Sequence, residues 1–160
     1  MQKVTLICVG KMKEKFYVEA AAEYAKRLGR YCKLEIVELP EQRLPEDPTP
    51  AEIERALARE ADAIRAKLPP GAAVAALCVE GGLRSSEELA ALLERQAGSG
   101  EKGLAFVIGG AFGLPPSVKS AAWLRLSMSP MTFPHHLARV MLLEQLYRSF
   151  QIREGGKYHK

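Results

Sequence analysis

The chain has 160 residues, 48% of them hydrophobic and 26% charged, a balance near the globular average that excludes disorder and fibrous repeats. No apolar run approaches the roughly 18 residues that a membrane-spanning helix needs. The formal net charge of +4 is unevenly spread: residues 41–62 hold three Lys/Arg against seven acids, whereas 130–160 hold five against two, so part of the surface suits a polyanionic partner.

Residues 4–9 form a short apolar run ended by Gly10, the pattern of a buried strand. Gly10-Lys11 arrives before a signal-peptide apolar segment can form, and a cytoplasmic protein is expected. Residues 16–28 follow at helical spacing, with Tyr17, Ala21, Tyr24 and Leu28 on one stripe. A second strand is expected over 34–39, stopped by Pro40 and a proline-rich loop. Thr49-Pro50-Ala51-Glu52 is a capping box with proline at the first helical position, and the helix behind it turns Ile53, Leu57, Ala61, Ile64 and Leu68 inward. Residues 74–79 read as a third strand closed by Gly81-Gly82. Ser85-Ser86-Glu87-Glu88 is a second capping box, leading a helix through Leu89, Leu92 and Leu93.

Residues 104–108 are a fourth strand running into Gly109-Gly110, and 123–127 a fifth. Residues 128–134 are loop, and 135–150 the longest apolar helix. Five strands alternating with helices predict one α/β domain over 1–160, its parallel sheet covered on both faces. Cys8, Cys32 and Cys78 are odd in number and widely spaced, which suits free buried thiols rather than disulfides or zinc.

Three features carry candidate chemistry. Gly109-Gly110-x-x-Gly113 sits at the carboxyl end of a strand, where open α/β sheets bind ligands; it is either a backbone approach to a ligand or a tight turn. It is neither a dinucleotide fingerprint nor a P-loop. Residues 126–136 are rich in small hydroxyls and bounded by prolines, so they form a stiff loop. Adjacent His135 and His136 point about 100° apart on a helix and make no metal pair, so no metal is expected. On the last helix, apolar residues from Leu137 to Phe150 wrap nearly the whole circumference, which points to a subunit interface on the outer side. Glu144 and Arg148 are i, i+4 partners within it. The tail Lys157-Tyr158-His159-Lys160 is expected to fray, and its composition suits phosphate and base contacts.

Taken in order, residues 106–114, Leu126-Ser127-x-Ser129-x-Met131-Thr132-x-Pro134-His135, Glu144-Gln145-x-Tyr147-Arg148 and Tyr158-His159-Lys160 resemble the SPOUT-class pseudouridine methyltransferases of the ribosomal large subunit. Val9-Gly10-Lys11 and Tyr24-x-Lys26-Arg27 match their N-terminal signature, and the resemblance covers the whole chain. It implies an α/β knot whose C-terminal segment makes a trefoil, although the rarity of knots would steer a reading from rules alone elsewhere. It implies S-adenosyl-L-methionine held by Leu77, by Gly109, and by Met128, Ser129, Pro130, Met131, Thr132 and Phe133. It further implies a homodimer in which the second subunit's tail completes the site. The substrate implied is N3 of a pseudouridine in 23S rRNA of the assembled ribosome.

A sulfonium methyl is already electrophilic, so alignment is the main requirement. The imide nitrogen must lose its proton, which calls for a base or a cation that stabilises the anion. His135, Glu144, Arg148 and His159 are the catalytic candidates, and Arg139, Lys157, Tyr158 and Lys160 the candidates for RNA contact. Two other readings compete: a non-catalytic α/β dimer that docks on ribosomes, which predicts no cofactor pocket, and a Rossmann-type enzyme, which has only Glu38 in its favour.

Overall fold

In the computed structural model, which describes residues 1–160, five strands alternate with five helices: β1 (Gln2–Val9), α1 (Lys15–Leu28), β2 (Cys32–Leu39), α2 (Pro50–Lys67), β3 (Ala73–Leu83), α3 (Ser86–Ala97), β4 (Leu104–Ile108), α4 (Pro116–Ala121), β5 (Leu124–Ser127) and α5 (His135–Arg153). The strands form one sheet in the order β2-β1-β4-β3-β5, every pair parallel. Central β4 is an unbroken apolar run because both its faces are covered. Leu104, Phe106 and Ile108 join the core beneath α1, α3 and α5, whereas Val107 faces the core beneath α2 and α4. The helices therefore lie on both faces, as expected.

Both capping boxes form. The Thr49 hydroxyl accepts from the Glu52 N–H at 3.2 Å and the Ser85 hydroxyl from the Glu88 N–H at 3.1 Å, each with the reciprocal glutamate bond. Ala61 and Ile64 of α2 are buried, but Ile53, Leu57 and Leu68 are only half-buried, and Ala56 and Glu60 take the remaining buried positions. No helix is long and apolar enough to cross a membrane.

Three expectations need correction. The Gly81-Gly82 pair does not close β3; the strand continues to Leu83. Leu77 and Gly82 both pair with Leu126, so residues 78–81 swing out of the ladder as a bulge. A side chain at Gly81 would place Cβ 2.8 Å from the Arg125 backbone, so glycine lets β3 rejoin β5 after the excursion.

The apolar circumference of α5 is the second. Between α1 and α3, over the sheet, none of its residues is exposed, and Leu142, Leu143 and Leu146 are wholly buried. The chain itself covers most of this helix, so its apolarity does not by itself require a second subunit.

The third is the tail, which is tied down rather than frayed. The Tyr158 ring packs edge-on against Tyr147 at 4.8 Å, and its hydroxyl donates to Glu144 at 3.0 Å.

Candidate active site

A cavity of about 590 Å³ opens at the carboxyl ends of β3, β4 and β5, within the size range of small-molecule sites. Three loops wall it: the bulge after Leu77, the glycine loop after β4, and the loop between β5 and α5. Leu77, Gly109, Met128, Ser129, Met131, Thr132 and Phe133 all line it; Pro130 does not. His135 and Ala138 of α5 close the far side.

The glycine loop is a tight turn. The Gly113 N–H donates to the Gly110 carbonyl at 3.0 Å, and Gly113 adopts φ +79°. Gly109 serves a different need: a Cβ there would sit 2.5 Å from the Gly113 backbone. Its bareness lets the chain pass close to itself, as the tight-turn alternative requires, while Gly109 still lines the cavity. Glu41, from the loop after β2, pins this turn by accepting the Ala111 N–H at 3.0 Å. In the loop before α5, the Ser127 hydroxyl donates to the Ser129 carbonyl at 2.9 Å, and the Ser129 hydroxyl accepts from the Met131 N–H at 3.0 Å. These bonds, with the flanking prolines, account for its stiffness.

Charge in the cavity is sparse. Glu80 on the bulge and Lys119 on α4 are its only formally charged side chains, and they pair at 2.6 Å. The Lys119 hydrogen bond holds the Glu80 carboxyl below the usual carboxylate range. Burial, reinforced by the neighbouring His136, pushes the His135 imidazole down, so it is neutral at pH 7.

The other candidate side chains form a separate network. Glu144 accepts from Arg148 Nε at 3.0 Å, from the Tyr158 hydroxyl at 3.0 Å and from Gln145 at 2.8 Å. Arg148 also lies 4.7 Å from the centre of the Tyr158 ring. Its Nη1 is 3.1 Å from His159 Nδ1, while His159 Nε2 is 2.6 Å from Glu87. A guanidinium only donates, so Nδ1 accepts and Nε2 carries the hydrogen given to Glu87. Burial, with help from Glu144, pushes the Tyr158 phenol up to about 12. Glu144 lines a second cavity of about 510 Å³, and Met128 lines both cavities. Within one chain, His135 therefore stands in one cavity and the Glu144–Arg148–Tyr158–His159 network beside the other. Lys157 and Lys160 are exposed.

Arg139 is not available to RNA. Its side chain is 5% exposed, donating to Glu38 at 2.6 Å and to the Gly10 carbonyl at 3.0 Å. Burial of the guanidinium leaves no route to a phosphate. Glu38, the acid that a dinucleotide reading would assign to a ribose, is occupied by this pair and by the Met12 N–H at 3.2 Å. Burial alone would raise its carboxyl, but Arg139 and that N–H outweigh it and hold it low.

Glu41, Glu80 and Lys119 escaped the sequence reading. Glu80 lies three residues after Leu77 on the same loop, a proximity that could have flagged it; Glu41 and Lys119 meet their partners only through the fold.

A family model described as "Predicted SPOUT methyltransferase" matches residues 2–159. Two relatives bear the name "Ribosomal RNA large subunit methyltransferase H". The one from Pelotomaculum thermopropionicum is 47% identical over 99% of both chains, and the one from Exiguobacterium sibiricum 44% identical over 99% of both. Among solved structures, a probable methyltransferase from Bordetella pertussis Tohama I superposes with a TM-score of 0.59, covering 93% of this chain and 96% of that one at 19% identity.

Proposed function

Because this chain belongs to the SPOUT methyltransferase family, we propose that it transfers a methyl group from S-adenosyl-L-methionine to N3 of a pseudouridine in 23S rRNA of the assembled ribosome. The observation that carries this reading is the convergence of three sequence-distant loops on a single cavity. The same cavity speaks against a non-catalytic docking module.

The residues present fit the cofactor. The walls are largely apolar and backbone-rich, and Glu80 and Lys119 cancel in charge. Neutral His135 adds no cation beside a sulfonium. When bound, the cofactor supplies an electrophilic methyl group that needs no further activation.

The chain's own contribution is orientation and proton handling. Seven loop residues from Leu77 to Phe133 line the cavity and would hold the adenosine end through backbone groups and apolar contact. Glu144, already accepting from three donors, orients Arg148 rather than taking a proton. Arg148, so held, is the positive charge available to stabilise an imide anion. His135, and His159 once Arg148 turns from its Nδ1 to the RNA, are the groups left to accept the proton. Tyr158, Lys157 and Lys160 meet the RNA by stacking and charge.

We further read the chain as one methyltransferase domain over 1–160, knotted at its C-terminal end, acting in the cytoplasm as a homodimer. Exposed Leu83, Trp123 and Met131, around the free β5 edge of the sheet, support a partner on that side.

Large subunits or ribosomes lacking the modification, incubated with methyl-labelled cofactor, should acquire label at a single 23S rRNA pseudouridine. Cofactor binding without label in any ribosomal RNA would overturn the substrate assignment. A monomer in sedimentation at micromolar concentration would overturn the dimer.

A further inference from the structure

We propose that Glu80 and Lys119 clamp the zwitterionic amino-acid end of the cofactor, Glu80 taking the ammonium and Lys119 the carboxylate. The inference rests on the methyltransferase reading and assigns two residues to a part of the ligand that the seven loop residues named above leave unaddressed. Three observations lead to it.

The first is scarcity. The cavity offers backbone, hydroxyl and apolar groups to an adenosine, but an α-amino acid brings one positive and one negative charge. Glu80 and Lys119 are the only Asp, Glu, Lys or Arg side chains in its lining. A fixed ligand charge requires an opposite charge or bulk water, and these two residues supply both signs together.

The second is exchange. The pair is closed at 2.6 Å, with side chains 60% and 28% exposed. An ion pair so open to water holds little net energy and opens at small cost. A zwitterion inserted between the two replaces one pair by two and leaves the cavity neutral.

The third is mobility without loss of frame. Glu80 rides on the bulge whose two ends, Leu77 and Gly82, are both pinned opposite Leu126. Its carboxylate can swing toward a ligand while β3 and β5 keep register. Lys119 projects from α4, whose Val118 is anchored in the core.

The test compares two ligands that share the thioadenosine and differ in the amino-acid arm: S-adenosylhomocysteine carries it and 5′-methylthioadenosine does not. Calorimetry is run on the wild-type chain, Glu80→Gln and Lys119→Met, with melting curves to confirm that both variants fold. Each variant should bind S-adenosylhomocysteine about tenfold more weakly, as expected for loss of a charge-assisted contact, with 5′-methylthioadenosine affinity unchanged. Equal weakening of both ligands would place Glu80 or Lys119 on the nucleoside and overturn the clamp. Unchanged affinity for S-adenosylhomocysteine would overturn it as well. If the wild-type chain bound neither ligand, the methyltransferase reading itself would fall.

Discussion

Replacing Arg139 by methionine keeps the apolar stem and removes only the guanidinium. Two bonds go with it, the 2.6 Å contact to Glu38 and the 3.0 Å contact to the Gly10 carbonyl. Hydrogen bonds to charged groups contribute about 1.5–3 kcal/mol each. The Glu38 side chain is 36% exposed, so water recovers part of its share, and the total falls near the low end at about 3 kcal/mol. For a chain of this size each kcal/mol moves the melting temperature about 2–4 °C, so the variant should melt roughly 6–12 °C lower. The difference should depend on pH. Because the folded Glu38 carboxyl lies below its ordinary value of 4.5, its contribution is present above that value and lost as pH falls through the folded one. The gap between wild type and variant should therefore narrow as pH falls below 4.5 and through the folded value, leaving only the share of the Gly10 carbonyl bond, which does not titrate. Affinity for ribosomes, measured at temperatures where both are folded, should keep the same salt dependence, since a buried arginine releases no counterion. A variant that melts like the wild type but loses about one unit of salt slope would show Arg139 on the RNA and refute this assignment.

Gly109→Ala drives a Cβ to 2.5 Å from backbone and should abolish cofactor binding, whereas Gly113→Asn, in open space at φ +79°, should retain most of it; calorimetry separates the two. A chain ending at Gly156 loses the Tyr158 and His159 contacts, so it should melt a few degrees lower, bind the cofactor normally and lose most rRNA methylation. Full methylation by that chain would leave His135 as the proton acceptor. Cys78 alone among the three thiols is not buried, and it lines the cavity. A maleimide should label it first, faster as pH rises because burial and Glu80 push its thiol up, and saturating S-adenosylhomocysteine should slow the reaction. Labelling indifferent to ligand, followed by mass spectrometry, would place the cofactor elsewhere.

What was legible in the sequence was local. The caps at Thr49 and Ser85 and the run at Leu104–Ile108 are decided by neighbours within four residues. Gly109, Ser129 and Thr132 stood out by composition, and the fold brings them to one cavity. What failed needed distant partners. Arg139 reads as a surface charge until Glu38, 101 residues away, meets it. Gly81-Gly82 reads as a strand end until the Arg125 backbone packs against it. The tail reads as loose until Tyr147 and Glu144 receive Tyr158. Periodicity cannot report such pairings, because each is a property of two segments at once.

The sheet order has a consequence for the order of synthesis. β3 pairs only with β4 and β5, both of which follow it in the chain. At about 5–20 residues per second, the roughly 25 residues from the end of β3 to the end of β4 take about 1–5 s to translate, and for that interval β3 has no neighbour. The wait for α5 is longer: α1 and α3 cover part of the face bearing Leu6, Cys8 and Phe106, but its cover is complete only when Leu142 to Phe150 arrive. A nascent chain therefore carries bare strand edges and an incompletely covered apolar face until α5 is made. Premature termination anywhere before α5 should yield a product that clumps or is proteolysed rather than a smaller working enzyme.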